Sequence, residues 1–544
     1  MKRKNWLFSG VLVGMSVLLM ACGKDSGSET AKNLDEYKPY GKYDEPVEYT
    51  IGKFQRDMNE MAKGDSLENN AATRFVEEKS NIKAKIAWEV KDYSQKVALS
   101  ISTGDIPDVL IVNQDMFKEL AENDLIEDLS EAYEKAASDE VKKRMDSYKV
   151  DPFKSTTIDG KMLAIPTPYY YYEHNVTWIR KDWLEKSGES LPESKEDLYA
   201  LAKKFVDEDM AGNGKTIGFT AVEEVAGNFG STYDLAPLFN ENNSFPRQWI
   251  DKDGKVEYGS VQPETKEVLG ELREQYKNGV LDKQFAVRTK DERDGALAEN
   301  VGIYFGPWWA TYFELKEAIK KNPEADWIPV AAPLNKEGQF TTFTGTPVVR
   351  YLVVKKGYEH PEAIIRSLNL VTDFNFNMTD EVVKYKDENI GKNVNYPWYY
   401  APLDFKLDYA DSNKDIYEAL QKAVDTNDYE NVPASLLSRA QQVKDYQEKG
   451  TADPDAWAEA KGSIDGVRAS VDPKTNFVDM AFYGKTKSMS TKWANLKKIE
   501  DETFLKIIMG EVELDEFDNF VEKWYATGGE DITKEVNEEV AKTK

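Results

Sequence analysis

One cysteine occurs in the 544 residues, Cys22, and its setting defines a reaction. Lys2, Arg3 and Lys4 precede an apolar run from Trp6 to Ala21, and Leu19-Met20-Ala21 leads directly into the thiol. A basic start, an apolar stretch and a small residue before the cleavage point describe a secretory signal. Leucine three positions before the cysteine and alanine one before fit a bacterial lipobox, in which the thiol is acylated and the bond after Ala21 is then cut. The apolar run falls short of the ~20 residues that span a bilayer, which disfavours a transmembrane anchor. Residues 1–21 are therefore predicted as a lipoprotein signal peptide and 22–46 as a lipid-anchored linker. The folded chain is expected from Val47 onward, at the extracellular face of the cell membrane.

Aromatic side chains carry a second kind of chemistry. They make up 12% of the chain, and several cluster with Pro and Gly instead of at helical spacing. These clusters are Gly306-Pro307-Trp308-Trp309, Tyr169-Tyr170-Tyr171-Tyr172 and Tyr396-Pro397-Trp398-Tyr399-Tyr400. A flat ring suits the C–H face of a sugar, and Asn, Asp, Gln or Arg in nearby loops suits its hydroxyl edge. Trp308, Trp309, Trp398, Tyr169, Tyr170 and Tyr171 are candidates for the first role, and Asn70, Asn113, Gln114 and Arg350 for the second. Each has a plainer alternative. Adjacent Trp308 and Trp309 cannot share one strand face, so one of them is expected in the core; a strand over the tyrosine run would bury two rings and expose two. Asn70 and Asn113 precede helical patterns and could serve only as caps. Arg350 could form a surface ion pair, and Trp457 and Trp524 read as core.

Composition excludes several classes of function. The net charge of −27, from 98 acidic and 71 basic residues, argues against a nucleic-acid partner and against electrostatic capture on an anionic membrane. With no second cysteine there is no disulfide framework. His174 and His360 are the only histidines, and there is no Gly-x-Ser-x-Gly elbow, phosphate-cradling glycine loop or zinc-type spacing. No catalytic residue and no metal ligand is assigned, and the chain is not expected to be an enzyme. A glycoside hydrolase needs only two carboxylates in an aromatic cleft, so it stays open as the alternative. A surface polysaccharide-tethering lipoprotein is a further one.

The elements that must position these residues alternate. Val47 to Ile51 reads as a strand, Ala71 to Lys79 as a helix, Ile82 to Val90 as a strand, Asp92 to Thr103 as a helix and Asp108 to Val112 as a short buried strand. Asn113-Gln114-Asp115 opens the next helix, at the carboxyl end of that strand, where α/β folds bind ligands. Acid-decorated helices are predicted over Ser130 to Lys143 and Ile499 to Lys523. Val176 to Ile179 gives a strand, Lys181 to Gly188 a helix, and Ser194 to Asp197 a capping box before Leu198. Helical patterns dominate from Asp415 onward, and the length favours two large lobes.

At Gly104-Asp105-Ile106-Pro107-Asp108-Val109, Leu120 to Leu129, Trp178 to Leu184, Phe305 to Trp309 and Phe482-Tyr483-Gly484, with Trp493 to Glu502, Phe517 to Trp524 and Thr527-Gly528-Gly529, the chain resembles a known family. It is similar to the LplA-like, family 1 extracellular solute-binding lipoproteins that serve carbohydrate ABC importers. That resemblance implies an α/β, two-lobe periplasmic-binding-protein-like fold with several interlobe crossings and a helix-rich C-terminal part. The expected division is lobe 1 over 47–165, lobe 2 over 166–335, a return to lobe 1 with a hinge over 336–400, and a helical part over 401–544, mainly in lobe 2. It further implies a monomer that captures an oligosaccharide between its lobes and hands it to the transmembrane subunits of an ABC permease, with the lipid anchor as its only membrane contact. Some members of the family carry a calcium loop, of which Asp209 to Lys215 looks like a degenerate form. Ala211 offers no side-chain oxygen and Ile217 stands where a carboxylate is needed, so a plain turn is expected and no cofactor is assigned.

Overall fold

The computed structural model describes residues 37–55, 61–391 and 396–542. The predicted signal peptide and Cys22 lie outside the described residues. The chain alternates as expected at first: β1 (Val47–Phe54), helix Ala71–Ser80, β2 (Ile82–Val90), helix Tyr93–Thr103, β3 (Val109–Val112). β4 (Thr157–Ile158) and β5 (Lys161–Met162) form a short hairpin before β6 (Ile165–Pro168). A second sheet then begins with β7 (Val176–Arg180) and β8 (Ile217–Phe219). After the hairpin of β9 (Trp249–Lys252) and β10 (Lys255–Tyr258), that sheet continues with β11 (Val301–Gly306) and β12 (Trp327–Val330). β13 (Phe340–Phe343) leads back to the first sheet at β14 (Val348–Val354), and β15 (Thr475–Val478) pairs in parallel with β13.

The first sheet has the order β2-β1-β3-β14-β6 and the second β12-β7-β11-β8. The chain thus changes sheet between Pro168 and Val176, returns between Val330 and Val348, and leaves the first sheet again after helix Pro361–Asn375. Strand alternation in the second sheet sends Val176, Trp178, Tyr304 and Trp327 into one core. Ile179, Ile303 and Phe305 point into the other, against Leu496, Phe504, Trp524 and Ile532 of the C-terminal helices. Burying such side chains contributes ~1.5–3 kcal/mol each, so the C-terminal helices are integral to this half of the molecule. In the first sheet Leu110, Val112 and Val353 pack with Phe117 and Tyr351, whose rings stack at 4.7 Å.

Local signals explain where elements start and stop. Ser194 and Asp197 form the expected capping box, and Gly188 ends its helix in the left-handed region at φ 70°. Two expected helices are each broken in two. Ser130–Ala136 and Asp139–Asp146 are separate because Ser138 is extended and its Oγ accepts from the Val141 amide at 3.2 Å. Met489–Met509 and Glu516–Trp524 are separate because Gly510, at φ 76°, terminates the first. The tyrosine run is not a strand either. Tyr172 has φ 68°, and only Tyr170 is buried while Tyr169, Tyr171 and Tyr172 are half-buried.

Candidate ligand-binding site

The passages between the sheets lie side by side. The Tyr169 amide donates to Pro347 at 3.1 Å and the Tyr171 amide to Ala410 at 3.2 Å, so the first passage is tied to both later ones. The Tyr171 hydroxyl accepts from the Lys149 amide at 2.7 Å, and Tyr170 packs with Tyr148 and Ala410. Tyr169 meets Phe229 edge-on at 5.2 Å. Gly230 is required here: at φ +65°, its Cβ would lie 2.9 Å from the Glu173 carbonyl and 3.0 Å from the Tyr169 hydroxyl. The tyrosine run therefore braces the loop that carries Gly230.

Charged side chains from distant parts of the sequence converge on this junction. Lys406 places its ammonium 4.2 Å from the centre of the Tyr170 ring. Burial holds the Glu173 carboxyl above its ordinary range, against the opposing pull of Lys406, Asn413 and Tyr169. Burial likewise lowers the Lys406 ammonium, with Glu173 and Asp408 opposing it. Arg439 stands 3.8 Å from Glu459 and donates to Ser463 at 3.4 Å, and the Tyr312 hydroxyl donates to Glu459 at 3.0 Å. The Arg439 side chain keeps 35% of its surface, yet desolvation is the largest influence on it, outweighed by Glu459, Tyr312 and Asp408 acting together.

β8 and β11 run parallel as neighbours, and the segments leaving their carboxyl ends line an open pocket of about 450 Å³. Its lining includes Glu223, Glu224, Asn228, Gly230, Ser231, Thr232 and Trp309. The carboxyl ends of parallel strands are where open α/β sheets accept ligands. Trp308 and Trp309 divide as adjacent residues in a tight turn must. Trp308 is 7% exposed and lies against Gly466, whose Cβ would come within 2.9 Å of it; Trp309 is half-buried and faces the pocket. Asp234 shapes the loop by accepting from the Asn228 amide at 2.8 Å and the Ala236 amide at 2.7 Å. Burial pushes its carboxyl up to about 7. Asn175 donates to the Ser231 carbonyl at 2.7 Å, and Arg247 holds Glu224 at 2.8 Å.

Trp398 and Arg350 form a separate station. The guanidinium lies 5.1 Å from the indole centre and 3.6 Å from Asp404. Asn70 is fully buried and caps helix Ala71–Ser80, its Oδ1 accepting from Ala72, Thr73 and Tyr396, its amide donating to Tyr400. Asn113 is exposed and caps the next helix through Met116, with Gln114 half-buried behind it. Asp209 spends its oxygens on Thr216 at 2.7 Å and Gly214 at 2.9 Å, and Asn213 is engaged with Asn300 and Lys215. The structure brings Trp309 and the tyrosines together with Glu173, Asn228, Lys406 and Arg439, which pattern reading did not single out. Only Gly227 and Gly230, two glycines closely spaced after a strand, hinted at a shaped loop there.

Comparison with known proteins places these features in context. Residues 59–374 match the model of the bacterial extracellular solute-binding protein family. The polygalacturonan/rhamnogalacturonan-binding protein YtcQ of Bacillus subtilis is 23% identical over 396 residues, 72% of each chain. The fructooligosaccharide ABC transporter substrate-binding protein FusA of Streptococcus pneumoniae is 25% identical over 61% of this chain and 62% of its own length. In three dimensions, FusA in complex with kestose superposes with a TM-score of 0.60 at 18% identity, covering 91% of this chain and 99% of that one. The calcium-free alginate-binding protein AlgQ2 also gives 0.60, at 16% identity over 92% and 99%. At these identities the superpositions establish a periplasmic-binding-protein-like α/β fold.

Proposed function

The chain belongs to the bacterial extracellular solute-binding protein family, and from that premise we propose that it captures an oligosaccharide between its two larger sheets and presents it to an ABC importer. The observation that carries this is Trp309, half-buried over a pocket of about 450 Å³ whose walls offer amide, hydroxyl and carboxylate groups. An indole supplies a platform for a sugar's C–H face, and Asn228, Ser231 and Thr232 supply partners for its hydroxyls. Its relatives YtcQ and FusA, named for binding glycans, support the same ligand class.

Ligand that touches both the Trp309 pocket and the crossing residues favours the arrangement in which they are close, and a population shift of that kind is what a permease can sense. Acylation of Cys22 would hold the protein at the outer face of the membrane, and a monomer suffices for this mechanism. Intact-mass measurement of the protein from membranes tests the anchor, with a diacylated Cys22 terminus expected and an uncut Met1 terminus counting against it. The ligand is tested by calorimetric titration with oligosaccharides, followed by an assay for new reducing ends. Stoichiometric binding without new ends is expected. Turnover would replace binding with glycoside hydrolysis.

A further inference from the structure

Arg247 lies just before β9, and its backbone is left-handed at φ 63°, a conformation that a side chain other than glycine adopts only where its surroundings impose it. Those surroundings are a hub. The Arg247 amide donates to the Ser260 hydroxyl at 2.7 Å, and its guanidinium donates to Glu500 at 3.4 Å, to Asp501 and to Glu224 at 2.8 Å. Glu500 is buried and also accepts from Tyr258 and Ser260, each at 2.9 Å. One arm of the hub thus reaches the pocket. The Glu224 oxygen that accepts from Arg247 also accepts from the Asn228 side-chain amide at 3.0 Å. Behind it, Gly227 leaves no room for a Cβ, which would lie 2.5 Å from the Pro246 carbonyl and 3.0 Å from the Arg247 Cβ.

We propose that Arg247 is a positioning residue for the Trp309 pocket, holding Asn228 through Glu224 and so tying the pocket loop to helix Met489–Met509. This rests on the oligosaccharide reading above and deepens it. A side-chain amide can sit either way round, and its partners decide which. Spending the Asn228 N–H on Glu224 leaves Oδ1 to accept from a sugar hydroxyl. A guanidinium suits the task because its rigid fork serves three carboxylates at once.

The test uses variants of the full chain in detergent. Without ligand, hydrogen exchange should quicken over residues 224–232 in Glu224→Ala while helix Met489–Met509 stays protected. Each variant is then titrated with whichever of fructo-, xylo-, manno- and galacturono-oligosaccharides the unaltered chain binds tightest. Glu224→Ala should weaken binding about fivefold, the scale of one hydrogen bond, and Glu224→Gln, which can still accept from Asn228, by less. Arg247→Met is combined with Glu500→Gln so that no buried carboxylate is stranded there, and should match Glu224→Ala. In an Asn228→Ala background neither change should weaken binding further. Unchanged exchange, an unaltered affinity in the Arg247 variant, or a full further loss without Asn228 each overturns the proposal and leaves an oligosaccharide receptor standing. Quickened exchange with none of the four probes bound leaves the loop's anchorage standing and removes the oligosaccharide reading.

Discussion

Trp309 and Trp398 follow the same local recipe, a tryptophan in a short turn near proline, yet they end in opposite situations. Trp309 borders a pocket otherwise lined by the loop from Val222 to Thr232. Trp398 carries the Arg350 guanidinium 5.1 Å from its ring centre. A cation over the indole satisfies the same π face that a sugar would use. The presence of an aromatic platform in sequence therefore says little about its vacancy, which is decided by what the distant parts of the fold lay across it.

The contrast can be broken hardest at Trp308, the buried neighbour of Trp309. Trp308→Ala should cost about 3 kcal/mol of stability by emptying a packed position, read as a lower denaturant midpoint. If instead stability is unchanged and binding is lost, the two tryptophans have been assigned the wrong way round. The pocket loop should show a pH signature through Asp234, whose carboxyl is pushed up to about 7 from 3.8. A raised carboxylate binds its proton more tightly folded than unfolded, so stability falls as pH rises from about 4 to about 7 and levels off above. Denaturation of Asp234→Asn as a function of pH should show that slope flattened. Trp309→Ala is expected to weaken glycan affinity about tenfold, ~1.4 kcal/mol, with the melting temperature nearly unchanged. Arg350→Ala, at the other station, should shift affinity by less than about 1 kcal/mol, the scale of one exposed cation–π contact. Equal losses from the last two variants would erase the distinction between the two stations.

Much of the frame was legible because it is local. The alternation through β3, the Ser194 capping box and the glycine stop at Gly188 each depend on residues within a few positions of one another. The two split helices were missed where a single serine or glycine outweighed a favourable pattern on either side. The pairing of Trp308 and Trp309 announced that one ring was core, but not which. Asn70 shows the limit from the other direction, since its cap geometry was foreseeable and its burial under Tyr396 and Tyr400 was not. Glu173, Lys406 and Arg439 left no pattern at all. They come from separate stretches of chain, and only the folded backbone makes them neighbours.

The second passage between the sheets also sets where the molecule can bend. β13 is zipped to β15 as far as Phe343, and Thr344 is still fastened by its amide to Val478 at 3.0 Å and by its hydroxyl to Tyr483. Pro347 is fastened from the other side by Tyr169 at 3.1 Å. Any rocking of one half against the other must, along this strand, be absorbed by Gly345 and Thr346. A joint two residues long is a stiff flexure and not a loose tether.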